Sequence, residues 1–323
     1  KMKAILLAAG LGNRLLPITE SISKPMIKIA GKPILEYILD DLVTAGFNDF
    51  CIVIGHQANQ IKEYFQFWKE NLVNITFVTQ ENLIGTANAM YCAKDFVKNE
   101  NFLVYLSDTL IPSDLQNILS KIINDTSDIS LISSNVYSNA SNSVGNVVTK
   151  DNLVISLSEK SNDPSSNLAW AGLVIFKNNF IFKIIESLNV SHRGEYDITD
   201  AMNFAIDQNK QIKNYTCKEF IDCGTTRGLL DGLKYVLAKN FQTCEKNSLF
   251  FQNPLYVAKN CVIGKNSKIG PDVSLGDNVS VGNDVVINNS LIMDNTIIES
   301  NTCVSDSIVS GKNILSLNNK LKE

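Results

Sequence analysis

The sequence predicts an α/β protein in which a mainly parallel sheet, covered by helices on both faces, is followed by a domain of short repeats. Short apolar runs alternate with amphipathic segments as far as about residue 130, a pattern typical of parallel strands joined by helices. After residue 260, an aliphatic residue followed by glycine recurs every six residues, which is typical of a hexapeptide β-helix. A chain of 323 residues has room for two domains, expected at 1–240 and 251–323 with a connector at 241–250.

The elements of the first domain follow from the spacing of apolar residues. The apolar run at 4–9 predicts a buried strand, and helical spacing predicts a helix at 34–45. The same reasoning predicts strands at 50–54, 75–79, 102–106, 129–133, 147–149, 153–157, 170–176 and 212–217, and helices at 57–68, 86–97, 114–123, 179–188, 197–209 and 226–240. Ligands of parallel sheets lie at the carboxyl ends of the strands. Gly10, Gln80 and Asp108 each follow a predicted strand, so we expect them in one crevice.

The second domain is predicted from its repeat. Five hexads carry the pairs Ile263-Gly264, Ile269-Gly270, Leu275-Gly276, Val281-Gly282 and Ile287-Asn288, and a second aliphatic position recurs in step at Val273, Val279, Val285 and Leu291. An aliphatic residue at this period points inward once per flat side, so we expect about three coils. Residues 303–314 are expected to form an irregular end. Flat faces suit association between copies, so we expect a homo-oligomer.

Composition argues against several classes of protein. The net charge of −4 provides no basic surface for nucleic acid, and no apolar run approaches the roughly 18 residues of a membrane span. Seven cysteines are scattered without a CxxC pair, and the two histidines of the sequence are His56 and His192, so a zinc site is not expected. Reduced thiols in a cytoplasm are the simplest explanation of these cysteines.

The segment 6–33 reads LLAAGLGNRLLPITESISKPMIKIAGKP and carries the features of a phosphate site. Gly10 and Gly12 let a ligand approach backbone amides, while Arg14 and Lys24 supply a guanidinium fork and a mobile ammonium. The third glycine of a dinucleotide-binding loop is absent, as is the Gly-Lys-Ser/Thr of a nucleotide-hydrolase loop. Spacing alone therefore leaves open whether this loop binds phosphate or is an ordinary turn.

The full string, GLGNRLLPIT…SKPMIKIAGKPIL, resembles the opening of the sugar-1-phosphate nucleotidylyltransferases, GxGTRLxPLT…PKPMLPVxxKP. Asn13 stands where that family usually has Thr or Ser. The resemblance implies a Rossmann-like mixed, mainly parallel sheet and, for the hexads, a left-handed parallel β-helix of the kind appended to many of these enzymes. It implies catalytic roles for Arg14 and Lys24. It also implies nucleotide binding by Leu7, Ala8, Ala9, Gly10, Gly12 and Asn13.

A second string, QENLIGTANAM, is similar to the family's QxxxxGTAxA. The resemblance implies that Gln80 pairs with a pyrimidine base and that Gly85 and Thr86 contact the nucleoside. An amide offers a donor and an acceptor together, which suits the edge of uracil or thymine. Taken alone, a surface Gln before an ordinary helix would be the simpler interpretation. Guanylyl-transferring relatives tend to carry Glu at this position, so Gln80 favours UTP or dTTP.

Two aspartates resemble the family's metal ligands. Asp108 in LVYLSDTLI resembles LxGDxL, with Ser107 in place of the glycine, and Asp222 in FIDCGTT resembles WxDxGT. The resemblance implies that both bind Mg²⁺, which prefers one or two carboxylates together with phosphate oxygens and water. A single Asp at a strand end is more often a turn or helix cap.

The sugar side of the resemblance rests on four residues that fall where the family has its YG, EKP and NxG or TG elements: Gly145, Glu159, Lys160 and Gly172. It implies that Glu159 accepts hydrogen bonds from sugar hydroxyls and that Lys160 holds the sugar phosphate. The Pro of EKP is Ser161 here, and Trp170 replaces an Asn, with its indole expected in the core. Glu195, in RGEYDITDA, matches a GExxLTD string and serves either the sugar pocket or the next helix.

The resemblance implies transfer of a nucleoside monophosphate from dTTP or UTP to a sugar-1-phosphate, with glucose-1-phosphate the favoured acceptor and pyrophosphate the second product. The alternatives are a cytidylyl- or guanylyltransferase that acts on another phosphorylated acceptor, and a non-catalytic regulatory relative. A nicotinamide oxidoreductase is argued against by the missing third glycine. No histidine follows His192, so the acetyl transfer that some relatives perform with a histidine base is not expected.

Overall fold

The computed structural model describes residues 2–112, 115–135, 145–159, 166–191, 194–240 and 250–317. The chain divides into two compact units. The first, the sheet unit, comprises Lys1–Leu11 and Ile38–Phe220, and the second, the repeat unit, comprises Gly12–Tyr37 and Ile221–Glu323. The limits of the two units differ from the expected domain boundaries, because Gly12–Tyr37 groups with the C-terminal residues. Those boundaries stay a prediction.

The described strands and helices are numbered in chain order. The strands are β1 Lys3–Ala8, β2 Lys28–Ile29, β3 Lys32–Pro33, β4 Asp49–Ile54, β5 Asn74–Thr79, β6 Phe102–Leu106, β7 Thr109–Leu110, β8 Ile129–Asn135, β9 Asn146–Lys150, β10 Leu153–Ser158, β11 Leu168–Phe176, β12 Ile212–Thr216, β13 Ile221–Asp222, β14 Leu255–Val257, β15 Val262–Ile263, β16 Lys268–Ile269, β17 Val273–Leu275, β18 Ser280–Val281, β19 Val286–Ile292, β20 Ile297–Ile298, β21 Cys303–Ser310 and β22 Asn313–Ser316. The helices are α1 Ile34–Thr44, α2 Ala58–Phe65, α3 Thr86–Cys92, α4 Lys94–Val97, α5 Leu115–Ile123, α6 Phe180–Glu186, α7 Ile198–Asp207 and α8 Thr226–Asn240.

The sheet unit is built on a nine-stranded sheet in the order β5-β4-β1-β6-β11-β8-β12-β10-β9. The strands β5, β4, β1 and β6 pair in parallel, as the alternation of strands and helices predicts. Every residue of β1 is buried, so both faces of the sheet are covered there. On one face, β1 residues pack with α3, α6 and α7 in a single apolar cluster.

The other half of the sheet is largely antiparallel, so the sheet is mixed, as the resemblance implies, but it is not mainly parallel. The strand β11 runs antiparallel to both β6 and β8, and β10 runs antiparallel to β12 and β9. Between β9 and β10 lie only Asp151 and Asn152, both with positive φ. A two-residue connection of this kind can join only antiparallel strands.

The repeat unit is rich in short parallel strands. Leu255 pairs with Val273, 18 positions later, and Val273 pairs with Ser290, 17 positions later. The same spacing joins β15 to β18 and β20, and β16 to β19 and β21. The inward aliphatic side chains form one cluster. At the expected irregular end, β21 continues the parallel pairing on β19, and the departure from the repeat is β22, which pairs antiparallel with β21.

Each corner of the repeat carries an Asn or Asp in the left-handed region, where short polar side chains are tolerated. These corners are Asn260, Asn266, Asp272, Asn278, Asp284, Asn289, Asn295, Asn301 and Asp306. Asp284 and Asn289 are five positions apart, one fewer than the hexad. The shortened step slides the register, so that Leu291 pairs with Ser274 and leaves the interior cluster, while Ile292 takes the inward position.

Candidate active site

Three of the expected site residues lie along one edge of the sheet unit. The run of β1 leads to Gly10, β5 leads directly to Gln80, and β6 leads to Ser107 and Asp108. Because β5, β4, β1 and β6 are adjacent and parallel, their carboxyl ends meet at this edge. The expected grouping of Gly10, Gln80 and Asp108 is therefore found within this unit.

At the end of β1, side chains are buried and the backbone is what a ligand can reach. Leu7, Ala8 and Ala9 are each at most 8% exposed. The Leu7 carbonyl accepts hydrogen bonds from the Ser107 hydroxyl at 2.6 Å and the Ser107 N–H at 3.3 Å. Gly10 is exposed, and a Cβ there would meet nothing within 4 Å. This end of the strand thus offers backbone rather than side-chain groups.

Ser107, which replaces the glycine of the family string, points its hydroxyl at the backbone of β1. The Ser107 side chain is buried, and its hydroxyl donates a hydrogen bond to the Leu7 carbonyl. Asp108 is half-buried, and the Thr109 hydroxyl lies 3.5 Å from its Oδ1. The substitution therefore ties β6 to β1.

Gln80 is fixed by two hydrogen bonds from one side-chain nitrogen. Its Nε2 donates to the Gly85 carbonyl at 3.1 Å and to Asn88 Oδ1 at 2.9 Å, while its backbone N–H donates to the Ile54 carbonyl. A carbonyl can only accept, so Gly85 sets the orientation of the amide. Both Nε2 hydrogens are used within the protein, and the carbonyl oxygen is the group that can receive a hydrogen bond from a base.

The Gly85-Thr86 turn is a close contact with the segment before α7. Gly85 has φ +110°, and a Cβ there would lie 2.3 Å from the Tyr196 carbonyl oxygen. Only glycine fits such a position. The Thr86 hydroxyl accepts the Ile198 N–H at 3.0 Å, at the start of α7. Both residues therefore hold α3 against α7, whatever else they contact.

Of the expected sugar residues of the sheet unit, Gly145 and Glu159 lie close together. A Cβ at Gly145 would lie 3.4 Å from Glu159 Oε2 and 3.7 Å from Thr199 Cγ2. Gly172 has φ +76° and lies against Leu106 and Thr109. Lys160 and Ser161 lie outside the described residues.

Trp170 belongs to the core, as expected. It is 6% exposed, and its indole N–H donates to the Leu173 carbonyl at 2.9 Å. Its side chain packs in the main apolar cluster of the sheet unit. The indole is therefore a structural group in this structure.

Thr199 is a polar residue of this region that the sequence did not single out. It is 1% exposed, and its hydroxyl has no hydrogen-bond partner among the described residues. Leaving a buried hydroxyl unpaired costs about 1–3 kcal/mol. The sequence feature that could have drawn attention to Thr199 is the string RGEYDITDA, in which Thr199 stands four positions after Glu195.

The repeat unit holds the remaining expected residues, and Gly12 shapes their loop. Gly12 has φ +73°, and a Cβ there would clash with Thr19 Cγ2 at 2.9 Å and press on Lys24 Cβ at 3.2 Å. Its carbonyl accepts the Thr19 hydroxyl at 2.9 Å. Asn13 and Arg14 open a 3₁₀ turn, Asn13–Leu15. Lys24 opens another, Lys24–Met26.

Arg14 and Asp222 form an ion pair within the repeat unit. Arg14 Nη1 lies 3.1 Å from Asp222 Oδ2, and Nη2 lies 3.4 Å from Oδ1. Asp222 Oδ1 also accepts the Gly224 N–H at 2.8 Å. The Arg14 side chain is 45% exposed, and exposed pairs contribute only about 0–1 kcal/mol. An anionic ligand can therefore replace the carboxylate at little cost.

The donor chemistry of Asp108 and Asp222 suits Mg²⁺. Both offer carboxylate oxygens, the ligand type that Mg²⁺ prefers, and neither brings the nitrogen or sulfur ligands typical of zinc. Within the described segments, no group of three or more His, Cys, Asp or Glu side chains could hold a metal by itself. A Mg²⁺ ion that takes most of its ligands from phosphate and water does not need such a cluster.

Comparisons with known proteins agree with the sequence motifs. The nucleotidyl transferase family matches residues 3–239, and the GMPPB C-terminal domain matches residues 251–323. The bifunctional protein GlmU of Methanococcus aeolicus is 36% identical over 77% of this chain and 57% of its own length. The glucose-1-phosphate thymidylyltransferase of Streptomyces griseus is 28% identical over 76% of this chain and 68% of its own length. Among the first relatives matched, the chain spans about half to two thirds of the length of each.

The fold is also shared with solved structures. The crystal structure of UDP-glucose pyrophosphorylase complexed with UDP-glucose matches with a TM-score of 0.65 and 24% identity, over 74% of this chain and 99% of that chain. The family expected from the motifs is confirmed by the match over residues 3–239. The chain belongs to the nucleotidyl transferase family.

Proposed function

We propose that this protein transfers a nucleoside monophosphate from dTTP or UTP to a sugar-1-phosphate, forming a nucleotide sugar and pyrophosphate. The main support is the grouping of Gly10, Gln80 and Asp108 at one edge of a parallel sheet, in a chain of this family. Exposed backbone, a base-reading amide and a carboxylate are the groups that a metal-bound nucleotide requires.

The proposed base specificity rests on Gln80. Its Nε2 hydrogens are given to Gly85 and Asn88, so its Oε1 would accept the N3–H of thymine or uracil. Cytosine has no hydrogen on that ring nitrogen and would face Oε1 with a second acceptor. The Streptomyces griseus relative, named a thymidylyltransferase, supports the same choice. Guanine also presents a ring N–H, so GTP is the competitor that matters.

The proposed chemistry asks for positioning and charge neutralisation. The sugar phosphate is already ionised, so its oxygen can attack the α-phosphorus in line without a base. Arg14 would leave Asp222 to neutralise the departing pyrophosphate, and Lys24 would contact phosphate near the reaction centre. Asp108 and Asp222 would hold Mg²⁺, which supplies charge neutralisation at the phosphates.

The proposed sugar site is the region of Gly145, Glu159 and Gly172, with Lys160 on the sugar phosphate. A Cβ at Gly145 would lie 3.4 Å from Glu159 Oε2, so a sugar hydroxyl that approaches this glycine could donate to the carboxylate. Glucose-1-phosphate is the acceptor that we favour. A pyranose lying against glycine backbone would expose its hydroxyls to this carboxylate.

We infer a left-handed parallel β-helix for residues 251–317, and a homo-oligomer formed through it. Pairings 17 or 18 positions apart suit three sides per coil. On the outer face of the β15-β18-β20 sheet, Val262 and Ile297 are 65% and 71% exposed in matching register.

We also propose a reducing, cytoplasmic location, since no disulfide joins the described cysteines. No described helix has the length and apolarity needed to cross a membrane.

The test is a grid of pyrophosphate release with Mg²⁺. It sets dTTP, UTP, CTP, GTP and ATP against glucose-1-phosphate and several other sugar-1-phosphates. The proposal expects turnover with dTTP or UTP and little with CTP. Turnover with CTP or GTP alone would contradict the role given to Gln80. Silence in every combination, with nucleotide still bound, would favour a regulatory protein.

A further inference from the structure

Lys28 is held by two carboxylates of the C-terminal repeats. Its Nζ lies 2.7 Å from Asp294 Oδ2 and 3.3 Å from Asp277 Oδ2. The other oxygen of Asp294 accepts the Asp277 backbone N–H at 2.9 Å. The Asp294 carboxylate is therefore oriented by the neighbouring coil as well as by Lys28. All three residues belong to the repeat unit.

A second contact fixes the same short hairpin. Strands β2 and β3 are joined by Ala30 and Gly31, both with positive φ. A Cβ at Gly31 would lie 2.3 Å from the Tyr256 hydroxyl oxygen. The hairpin therefore meets β14 so closely that only glycine fits. Two independent contacts, one ionic and one steric, hold the hairpin against the repeats.

The hairpin continues directly from the turn that carries Lys24. The Ile27 N–H donates to the Lys24 carbonyl at 3.1 Å, and Lys28 is the next residue. The stem of Lys24 in turn lies against Gly12. A movement of Lys28 would therefore also move Lys24, which is four residues away, and the backbone at Gly12.

The charge balance keeps Lys28 cationic. Burial lowers the pKa of Lys28, but hydrogen bonds and charges from Asp294 and Asp277 outweigh it and raise the pKa above its ordinary value. The group stays charged at neutral pH, so salt rather than pH should disturb the contact. The family pattern KPMLPV has proline where this chain has Lys28, and proline can form no ion pair.

We propose that Lys28, held by Asp277 and Asp294, is a positioning residue through which the C-terminal repeats fix the loop that carries Lys24. The effect on catalysis rests on the proposed function. Lys28 itself touches neither substrate nor metal in this account. Its loss would loosen the phosphate loop and weaken nucleotide binding more than the chemical step.

The test compares Lys28→Met, Lys28→Arg and the double variant Asp277→Asn/Asp294→Asn with the unaltered chain. Lys32→Met is the matched control, because Lys32 lies on the same hairpin and forms a salt bridge with Glu36 of the following helix. Lys28→Met and the double variant should each raise the KM for the nucleoside triphosphate about tenfold, with a smaller change in kcat. Combining them should add little, since they remove the same contact.

Rescue and exchange measurements separate positioning from simple loss of structure. Lys28→Arg should restore the KM, and Lys32→Met should leave it unchanged. Amide hydrogen exchange of residues 23–33 should be faster in Lys28→Met than in the unaltered chain, whether or not the protein turns over any substrate. Unchanged exchange in that segment overturns the proposal, as does a KM effect equalled by Lys32→Met. If no substrate turns over but exchange rises as expected, the proposed function fails while the positioning contact stands.

Discussion

The guanidinium of Arg14 is paired with the carboxylate of Asp222, with one N–O contact of 3.1 Å and a second of 3.4 Å. The sequence assigns these residues to different partners, a polyphosphate and a metal. In the structure the two side chains pair with each other. A metal on Asp222 would have to displace Arg14, and a phosphate on Arg14 would have to displace Asp222. The ion pair neutralises both charges in the absence of ligand. Because Arg14 is exposed, the pair contributes little free energy and can be broken readily.

Replacing Arg14 should reduce turnover far more than stability. Arg14→Ala removes one electrostatic donor at the phosphates, which typically costs about 3 kcal/mol, or roughly a hundredfold in kcat. Arg14→Lys should recover part of this, because it keeps the charge but not the bidentate fork. The free energy of unfolding in urea should change by less than about 1 kcal/mol, since the pair is exposed. Near-normal kcat in Arg14→Ala would remove Arg14 from the site.

Replacing either aspartate should weaken the response to Mg²⁺. In Asp108→Asn and Asp222→Asn, the Mg²⁺ concentration for half-maximal turnover should rise about tenfold or more, because each loses a charged oxygen ligand. Asp207→Asn, an exposed position on α7, is the matched control and should behave as the unaltered chain. Unchanged Mg²⁺ dependence in Asp108→Asn would show that this carboxylate is a turn residue.

The hydrogen bond from Gln80 to Asn88 should matter for base recognition. Asn88→Ala removes the acceptor at 2.9 Å and leaves a buried donor unpaired, so the KM for dTTP or UTP should rise severalfold, at a cost of about 1–3 kcal/mol. Asn88→Asp keeps an acceptor oxygen and should stay closer to normal. Gln80→Glu cannot donate to Gly85 and should lose more than either. Equal KM values in Asn88→Ala and Asn88→Asp would contradict this orientation of Gln80.

Asp125 should contribute stability that disappears in acid. Burial raises the pKa of Asp125, but hydrogen bonds from Lys213, Ser127 and Tyr215 outweigh it and hold the pKa well below its ordinary value of 3.8. Because the folded pKa is the lower one, the contribution is present above pH 4 and is lost as the pH falls below it. Asp125→Asn should therefore destabilise the protein by about 1–3 kcal/mol at pH 7.

Urea unfolding of Asp125→Asn and the unaltered chain between pH 2.5 and 7 checks this prediction. The difference in free energy of unfolding should shrink steadily below pH 4. Asp207→Asn should show no such trend. A difference that is constant with pH would mean that packing, and not the charge of Asp125, is what the substitution removes.

The parts of the fold that repeat a simple pattern could be predicted from the sequence. Apolar runs give the positions of β1, β4, β5 and β6, and the rule for strand ends then groups Gly10 with Gln80 and Asp108. A mixed sheet was expected, but its antiparallel pairs were not, because the strand pattern near residue 150 does not state which strands pair. The Asp151-Asn152 turn was a local signal for it.

Register and side-chain contacts lay beyond sequence reasoning. A hexad count places Leu291 inward, but one five-residue step moves Ile292 there instead. The motif suggests that the Gln80 amide both donates to and accepts from a base. In the structure its Nε2 hydrogens are already donated to Gly85 and Asn88. The burial of the Thr199 hydroxyl, without a hydrogen-bond partner among the residues that the structure describes, and the contacts of Lys28 with two carboxylates depend on residues far apart in the chain. Neither periodicity nor motif spacing carries that information.

The most direct measurement follows the α-phosphate itself. The unaltered protein is incubated with Mg²⁺, glucose-1-phosphate and dTTP or UTP labelled at the α-phosphate, and the products are separated. The account predicts that label moves into a nucleotide sugar, with one pyrophosphate released for each product formed. Label that leaves only as free nucleoside monophosphate, or that stays in the triphosphate with every sugar-1-phosphate offered, would contradict it.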